Sequence, residues 1–351
     1  MNILVVGDGG SEIHETVVAE AFRRLKHQVE VFYWCKYFSS DNYLIRQIRR
    51  LQNKFIFGPQ VKRINKNLVE KALLLKPDVV FIYRGTHITS STILSIKHHL
   101  PTCVVLGYNN DDPFSVGHPS YLWKQFKASV PYYDIVLAYR HHNIKQFLDI
   151  GAKRVELLRS WFVPWLNKPV ATNLEGNDNY QCDVVFIGHY EADQRVDYLE
   201  SIVKSGWNLK LFGPGYDWDA IVLKSTELQK QCPVRLVWGD DYNRALSGSR
   251  IALCFLSKLN RDTYTRRCFE IPATRTMMLA EYTDDLASLF VEGKDVEFFR
   301  TEEEMLEKIK IYINDDKRCQ AIAESGYNRV HEDGHDVVSR MKQVLNWVEE
   351  I

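Results

Sequence analysis

Apolar runs of four to six residues recur along the chain, at residues 3–6, 29–33, 79–83, 103–107, 135–139 and 155–158. They are rich in Val, Ile, Leu and aromatics with little polar alternation, the pattern of strands buried on both faces of a parallel sheet. Helix-period stretches fall between them, including 12–26, 59–75 and 141–150. The pattern weakens after residue 163, where Pro164, Pro169 and the polar run 172–179 carry turn and linker chemistry. It resumes with apolar runs at 184–187, 209–212, 234–238, 251–256, 276–280 and 296–299. Helical stretches intervene at 193–204, 242–247, 284–290 and 302–313, the last with a capping box from Thr301 and Glu304. A final helix keeps its period through Val337, Met341, Val344, Leu345 and Val348.

Strand–helix alternation of this kind predicts an α/β protein of two doubly wound, Rossmann-like domains. The expected division is residues 1–165, a linker at 166–180, residues 181–335, and a last helix at 336–351. Ligands of such sheets bind at the carboxyl ends of the strands. Two of them therefore predict a shared cleft, the layout of the two-domain glycosyltransferase fold called GT-B.

Composition narrows the classes. Of 351 residues, 45% are hydrophobic and 26% charged, as in a globular protein. With 45 basic and 45 acidic residues the net charge is zero, which speaks against a nucleic-acid binder. Residues 46–66 are locally basic, through Arg46, Arg49, Arg50, Lys54, Lys62, Arg63 and Lys66. This segment reads either as a solvated helical face or as a contact for an anionic acceptor or a membrane surface. Seven scattered cysteines, with no CxxC pair, are reduced, cytoplasmic usage rather than a disulfide frame or a zinc site. The start, Met1-Asn2-Ile3-Leu4-Val5-Val6-Gly7, reads as a first strand and not as a signal peptide, and no run is long enough for a membrane span.

Residues 265–282 carry the most chemistry. Arg267 precedes Glu270 by three residues, on one face of a helical turn, before an apolar strand that ends in a second acid. A guanidinium fork suits phosphate, and a carboxylate can accept from both hydroxyls of a ribose. The pair suggests a nucleotide-sugar, with Arg267 also offered as a catalytic group. Gly188 closes the first strand of the second domain, and Gly213 and Gly215 close its second. Glycines there admit a pyrophosphate, and Arg195 on the next helix would neutralise it. Trp238-Gly239 with Tyr242 offers an aromatic to stack on a base, or a core tryptophan.

In the first domain, Gly7-Asp8-Gly9-Gly10-Ser11 follows the first strand and opens a helix. Its spacing is not GxGxxG, and no acid follows the second strand, so a nicotinamide site is disfavoured. Gly9, Gly10, Ser11 and His14 are read instead as an acceptor contact, with His14 as a catalytic candidate or a surface residue. Asp111 and Asp112 follow another strand, at 103–107; they could bind sugar hydroxyls, supply a base, or form a plain Asx-turn before Pro113. No third metal ligand accompanies them. The pairs His98-His99 and His141-His142 read as surface residues.

The second domain resembles the glycosyltransferase group-1 superfamily, and more closely its branch related to the spore-maturation protein CgeB. The likeness rests on Arg267-x-Phe269-Glu270-Ile271-Pro272-Ala273, the strand after it and Glu281-Tyr282-Thr283. It continues through Asp285-Leu286, Phe290, Gly293-Lys294 and Val296 to Ala321, Glu324, Gly326, Arg329 and Val330. In that superfamily two acids have seven residues between them and the second binds the donor ribose; Glu270 stands there, and Asp262 takes the place where Glu is usual. A small-residue turn after Pro-Ala is here the bulkier Thr274-Arg275. The resemblance implies a retaining transferase, with a last helix crossing back to the first domain.

The resulting expectation is a cytoplasmic, metal-independent glycosyltransferase of polysaccharide or glycoconjugate biosynthesis. It would need no cofactor beyond its nucleotide-diphosphate sugar and would act on a glycan, lipid-linked or protein acceptor. Three alternatives stay open: a sugar-nucleotide epimerase on the same fold, a non-catalytic nucleotide-sugar-binding or coat protein, and a Rossmann dehydrogenase.

Overall fold

The computed structural model describes residues 1–171 and 178–351. Most of the polar run expected to form the linker, 172–177, lies outside the described residues. The chain divides into two compact units, residues 1–160 with Val337–Ile351, and Trp161–Asp336.

The first unit holds six strands: β1 (Asn2–Gly7), β2 (Gln28–Tyr33), β3 (Val79–Tyr83), β4 (Val104–Asn109), β5 (Ile135–Ala138) and β6 (Val155–Leu157). They form one sheet in the order β2-β1-β3-β4-β5-β6, parallel throughout. Its helices are α1 (Glu15–Arg24), α2 (Tyr43–Phe55), α3 (Pro59–Leu75), α4 (Ser90–His99), α5 (Lys124–Ser129) and α6 (His141–Asp149). Successive strand residues face opposite sides. Leu4, Val6, Val80 and Ile82 pack with Ile64, Leu68, Ile93 and Ile96 of α3 and α4. On the other face Phe81 meets Phe22 of α1 edge-on at 6.1 Å.

The second unit repeats the plan with β7 (Cys182–Ile187), β8 (Leu209–Phe212), β9 (Ser249–Cys254), β10 (Met277–Glu281) and β11 (Glu297–Phe299), in the order β11-β10-β9-β7-β8. All its pairings are parallel. The helices are α7 (Arg195–Lys204), α8 (Gly215–Val222), α9 (Gly239–Ser247), α10 (Arg267–Ala273), α11 (Asp284–Ala287), α12 (Glu302–Asn314) and α13 (Asp316–Glu332). Phe186, Leu211, Leu253 and Leu279 are buried with Leu199, Trp218, Met305 and Ile309 from three of these helices. Each such side chain contributes on the order of 1.5–3 kcal/mol by leaving water. The last helix, α14 (Val337–Glu349), packs on α1 in the first unit.

Two expectations need correcting. Residues 234–238 do not form a strand; only Arg235 bridges to Phe212. Pro233 brings no N–H, and the Val234 N–H donates to the Asp219 carboxylate at 2.8 Å instead of to β8. The division between units also falls earlier than the expected linker. Trp161, Phe162 and Val163 are buried in the second unit, where Phe162 N donates to His335 O at 3.1 Å and Asn243 Nδ2 donates to Leu166 O at 2.6 Å.

The capping box is half as expected. Thr301 Oγ1 accepts from Glu304 N at 3.2 Å, but the Glu304 carboxylate returns to Arg300 N, one residue upstream, at 2.7 Å.

Candidate active site

In an open parallel sheet the crevice for a ligand opens where the strand order reverses, at the carboxyl ends of the two strands concerned. In the second unit that point lies between β7 and β9. Gly188 follows β7; its N–H donates to Phe212 O at 3.0 Å, and its carbonyl accepts from Trp218 Nε1 at 2.8 Å. Gly213, after β8, must be glycine, because a Cβ there would stand 2.2 Å from the Gly188 carbonyl oxygen. Gly215 opens α8.

Arg267 is the first residue of α10 and reaches back over this loop. Its Nη2 donates to Phe255 O at 3.2 Å, its guanidinium lies 6.0 Å from the Phe186 ring centre, and its Nη1 lies 3.3 Å from where a Gly188 Cβ would be. Its Nε is buried without a hydrogen-bond partner.

Glu270 departs from the expected picture. It shares a helical turn with Arg267 as expected, but it is only 7% exposed. Its Oε2 accepts from Tyr242 Oη at 2.9 Å, and among the described residues no ion pair joins it to Arg267. The reason is packing: Cys268, Phe269, Ile271 and Ala273 of the same helix are all buried, so the helix is sunk into the unit rather than laid on it. Burial raises the carboxyl pKa above its usual range, opposed by Arg266, the Tyr242 hydroxyl and Arg267. Burial, then the Glu270 charge, pushes the Tyr242 phenol well up.

Tyr242 lies one turn into α9, and its N–H donates to Trp238 O at 3.4 Å. Trp238 is 59% exposed, which removes the core-tryptophan alternative. Gly239 has φ +55°, with nothing within 4 Å of a would-be Cβ. The Tyr242 hydroxyl thus ties α9, which opens at the exposed Trp238, to Glu270 on the helix that begins with Arg267.

Arg195 is placed differently from its expected role. It is buried and forks onto Asp193, with two bonds of 2.7 Å, while Nη1 donates to His189 O at 2.7 Å. Its donors fix the 188–195 loop. The Thr274-Arg275 turn lies at the opposite, amino end of β10. Arg275 takes the left-handed φ of +55° that suits glycine, and its side chain lies against Glu324 and Tyr327. A cavity of about 270 Å³ lined by Arg195, Tyr198, Phe255, Lys258 and Glu281 opens at the carboxyl edge. A larger hollow of about 560 Å³, lined in part by Cys182, Arg250 and Cys319, sits at the amino ends of the strands, away from this chemistry.

In the first unit the order reverses between β1 and β3. Gly9 has φ +82°, and its N–H donates to the buried carboxylate of Glu15, the first residue of α1. Burial raises the Glu15 pKa against that bond. Gly7 leaves room for this side chain, since a Cβ there would fall 2.3 Å from Glu15 Cγ. Gly10 and Ser11 complete the turn, Ser11 Oγ accepting from Ile13 N at 3.4 Å. His14 precedes α1 and stacks on Tyr83 at 5.5 Å. Arg84, with φ +64°, donates to Asp111 Oδ2 at 2.6 Å and lies 5.3 Å from the Trp123 ring centre.

Asp111 and Asp112 point apart. Asp112 is fully buried, accepting from Phe114 N and Asn143 Nδ2, each at 3.0 Å, with His142 Nε2 at 3.3 Å. It ties the strand end to α6, while Asp111 stays at the edge. The pair is thus more than an Asx-turn, and His142 is not the surface residue expected. Sequence reasoning missed Glu15 and Arg84; the run Tyr83-Arg84-Gly85 directly after an apolar strand was the available signal for the second.

Among the described residues no group of three or more His, Cys, Asp or Glu side chains is arranged to hold a metal ion, and no helix is long and apolar enough to cross a membrane.

Residues 195–346 match a family model described as glycosyl transferase-like. That stretch contains Arg267 and Glu270. The expected class of enzyme, a glycosyltransferase, is the one matched. No curated protein matches the chain. Among solved structures, Anabaena Alr3699/HepE in complex with UDP-glucose is similar over 100% of both chains, with 12% identity and a TM-score of 0.68. A glycosyltransferase from Rickettsia africae covers 99% of this chain and 98% of its own, at 14% identity and a TM-score of 0.70. Sucrose-phosphate synthase from Thermosynechococcus elongatus covers 100% and 99%, at 11% identity and a TM-score of 0.69. The chain has the GT-B fold.

Proposed function

We propose that this chain moves a sugar from a nucleotide-diphosphate sugar to an acceptor hydroxyl, with the donor held on the second unit. The observation that carries the reading is the arrangement of Arg267, Glu270 and Tyr242 at the β7/β9 reversal. Arg267 faces the donor's phosphates, and its unpartnered Nε supports that role. Glu270, oriented by Tyr242, accepts from the ribose diol, and the exposed Trp238 stacks on the base. Gly188 and Gly213 keep the loops low enough for a pyrophosphate to approach.

In the reaction the acceptor oxygen bonds to the anomeric carbon as the bond from that carbon to the phosphate oxygen breaks. The nucleotide diphosphate leaves with the bonding electrons, and the acceptor proton passes to it or to a base. Arg267 stabilises the charge that grows on the leaving phosphate. The β1/β3 edge of the first unit, with Gly9, Gly10, Ser11, His14 and Asp111, receives the acceptor. Transfer with retention, independence of metal and membership of the CgeB-like branch complete the proposal. The seven free cysteines suit a reducing cytoplasm.

The solved neighbour with bound UDP-glucose supports starting with uridine nucleotides. The test is a thermal-shift screen with UDP-, GDP-, dTDP- and ADP-sugars. A matching donor at a hundredfold excess over its dissociation constant should stabilise the fold by about 2.7 kcal/mol. Absence of a shift with every donor, together with absence of turnover, contradicts the reading. Turnover should survive EDTA; loss with rescue by Mg²⁺ or Mn²⁺ would contradict metal independence.

A further inference from the structure

Helix α2 is turned inside out for a helix of a soluble unit. Leu44, Ile48, Leu51 and Phe55 recur at helical spacing and are 70%, 56%, 52% and 44% exposed. At about 100° per residue they fall within a single sector of roughly 60°. Much of what fastens α2 to the unit is polar. Gln52 is its one buried residue, and its Oε1 accepts from Gln60 N at 3.1 Å at the start of α3. Arg49 donates to Ser39 O on the preceding turn, and Asn42 caps the helix at Ile45 N at 3.1 Å. Phe55 packs its ring on Tyr121 at 5.5 Å, while Leu44, Ile48 and Leu51 are left on the outside.

The surroundings of the stripe are one-signed. Residues 42–69 contain seven basic residues and no acid, in a chain whose net charge is zero. Arg50 and Lys54 follow one flank of the stripe. Of the seven, only Lys66 has an ion-pair partner among the described residues, Glu70 at 3.7 Å. Next to α2, Lys36, Arg49 and Arg63 together line a cavity of about 320 Å³ with Tyr37, Gln60 and Asn67. Three cations around one small hollow suit a phosphate-bearing group.

We infer that α2 seats this unit on an anionic lipid bilayer. The stripe enters the boundary between headgroups and acyl chains, and the flanking cations and the basic cavity meet the lipid phosphates. An amphipathic helix lying in the interface is held by both terms together, buried apolar area and attraction to anionic lipid. A second copy of the chain fits less well. A two-fold contact through this stripe would bring the same basic rim against itself, so charge would oppose the pairing.

The test is co-sedimentation of the full chain with phosphatidylcholine vesicles, with and without phosphatidylserine, at low and high salt. The expected result is binding that needs phosphatidylserine and weakens with salt. Ile48→Glu with Leu51→Glu should lower the partition coefficient by about tenfold or more, since it places two charges in the apolar sector. Arg50→Glu with Lys54→Glu should lower it on phosphatidylserine vesicles while leaving the stripe intact. All four positions lie on the outside of α2, so unchanged melting temperatures are expected and separate lost binding from lost folding. Three outcomes overturn the inference. They are no binding by the wild type, binding that ignores phosphatidylserine or both variant pairs, and a dimer that Ile48→Glu with Leu51→Glu converts to monomer while lipid binding is unaffected.

Discussion

At the β1/β3 end of the first sheet, Arg84 lies against Asp111 at 2.6 Å and Asp112 is enclosed by His142 and Asn143. At the β7/β9 end of the second sheet, Arg267 donates to the Phe255 carbonyl and lies against the Cys254 thiol, and the nearby Glu270 is held by a tyrosine rather than by the arginine. The topology is the same. Both edges complete ion pairs, Arg195–Asp193 in the second unit included, but the Arg267 and Glu270 charges do not pair with each other. In the first unit Arg84 and Asp111 neutralise each other, and the groups left buried without partners are the Arg84 Nε, the Asn109 amide N–H, the Asn110 side-chain carbonyl and the Trp123 indole N–H, among others. In the second, a guanidinium and a carboxylate stand near each other without pairing. Neutral hydrogen-bonding groups suit hydroxyls of an uncharged acceptor. An uncommitted cation and anion suit a molecule that is dianionic at one end and a diol at the other. The difference teaches that the ligand's charge is written in which ion pairs a sheet edge completes for itself.

The sharpest way to break this contrast is to remove the free cation. Arg267→Ala should lower turnover by about two to three orders of magnitude, as loss of one charge-stabilising donor does elsewhere, and lower donor affinity less. Steady-state kinetics over a range of donor concentrations measures it; weaker donor binding with turnover unchanged at saturation would make Arg267 a plain binding group.

A second approach alters the floor of the donor edge. Gly213→Ala forces a Cβ against the Gly188 carbonyl oxygen, a backbone atom with little room to move. A cost of about 1–3 kcal/mol is expected, visible as a lower melting temperature together with weaker donor binding. Gly206→Ala, where a Cβ meets nothing within 4 Å but φ is +87°, gives the comparison for backbone strain alone.

A third approach uses pH. Burial raises the Glu270 pKa, so its folded-state value lies above its unfolded one. That contributes stability which is fully present below the unfolded pKa and is lost as pH rises through the folded one. Glu15 acts in the same sense. Donor binding runs the other way, because the diol needs the ionised carboxylate. Melting temperature without donor should therefore fall less between about pH 4 and pH 8 in Glu270→Gln than in the wild type. Loss of donor affinity on acidification should be smaller in the same variant. Identical pH profiles would remove Glu270 from the donor.

Much of the scaffold was readable because parallel strands buried on both faces leave continuous apolar runs, as at Val79–Tyr83 and Leu209–Phe212. Pro59 and the periodic residues after it fixed α3 at Pro59–Leu75. The site was only half readable. The strand-end position of Arg84 was a local signal, but its partner Asp111, 27 residues away, was not readable from it. The burial of Glu270 was not readable, because an Arg267–Glu270 spacing reports a shared helical face, not whether that face is sunk among buried neighbours. Arg195 was readable in principle. Asp193, two residues earlier, competes for its fork, and local competition of that kind outweighs a phosphate role.

The central claim is that the donor is held by the uncommitted charges of the second unit and not by the paired charges of the first. Calorimetric titration of uridine diphosphate into the wild type, Glu270→Ala and Asp111→Ala tests it most directly. Loss of a charge-assisted contact worth roughly 1.5–3 kcal/mol should weaken Glu270→Ala by about one to two orders of magnitude. Asp111→Ala should bind like the wild type. Equal affinity in the wild type and Glu270→Ala, or a loss confined to Asp111→Ala, would contradict the account.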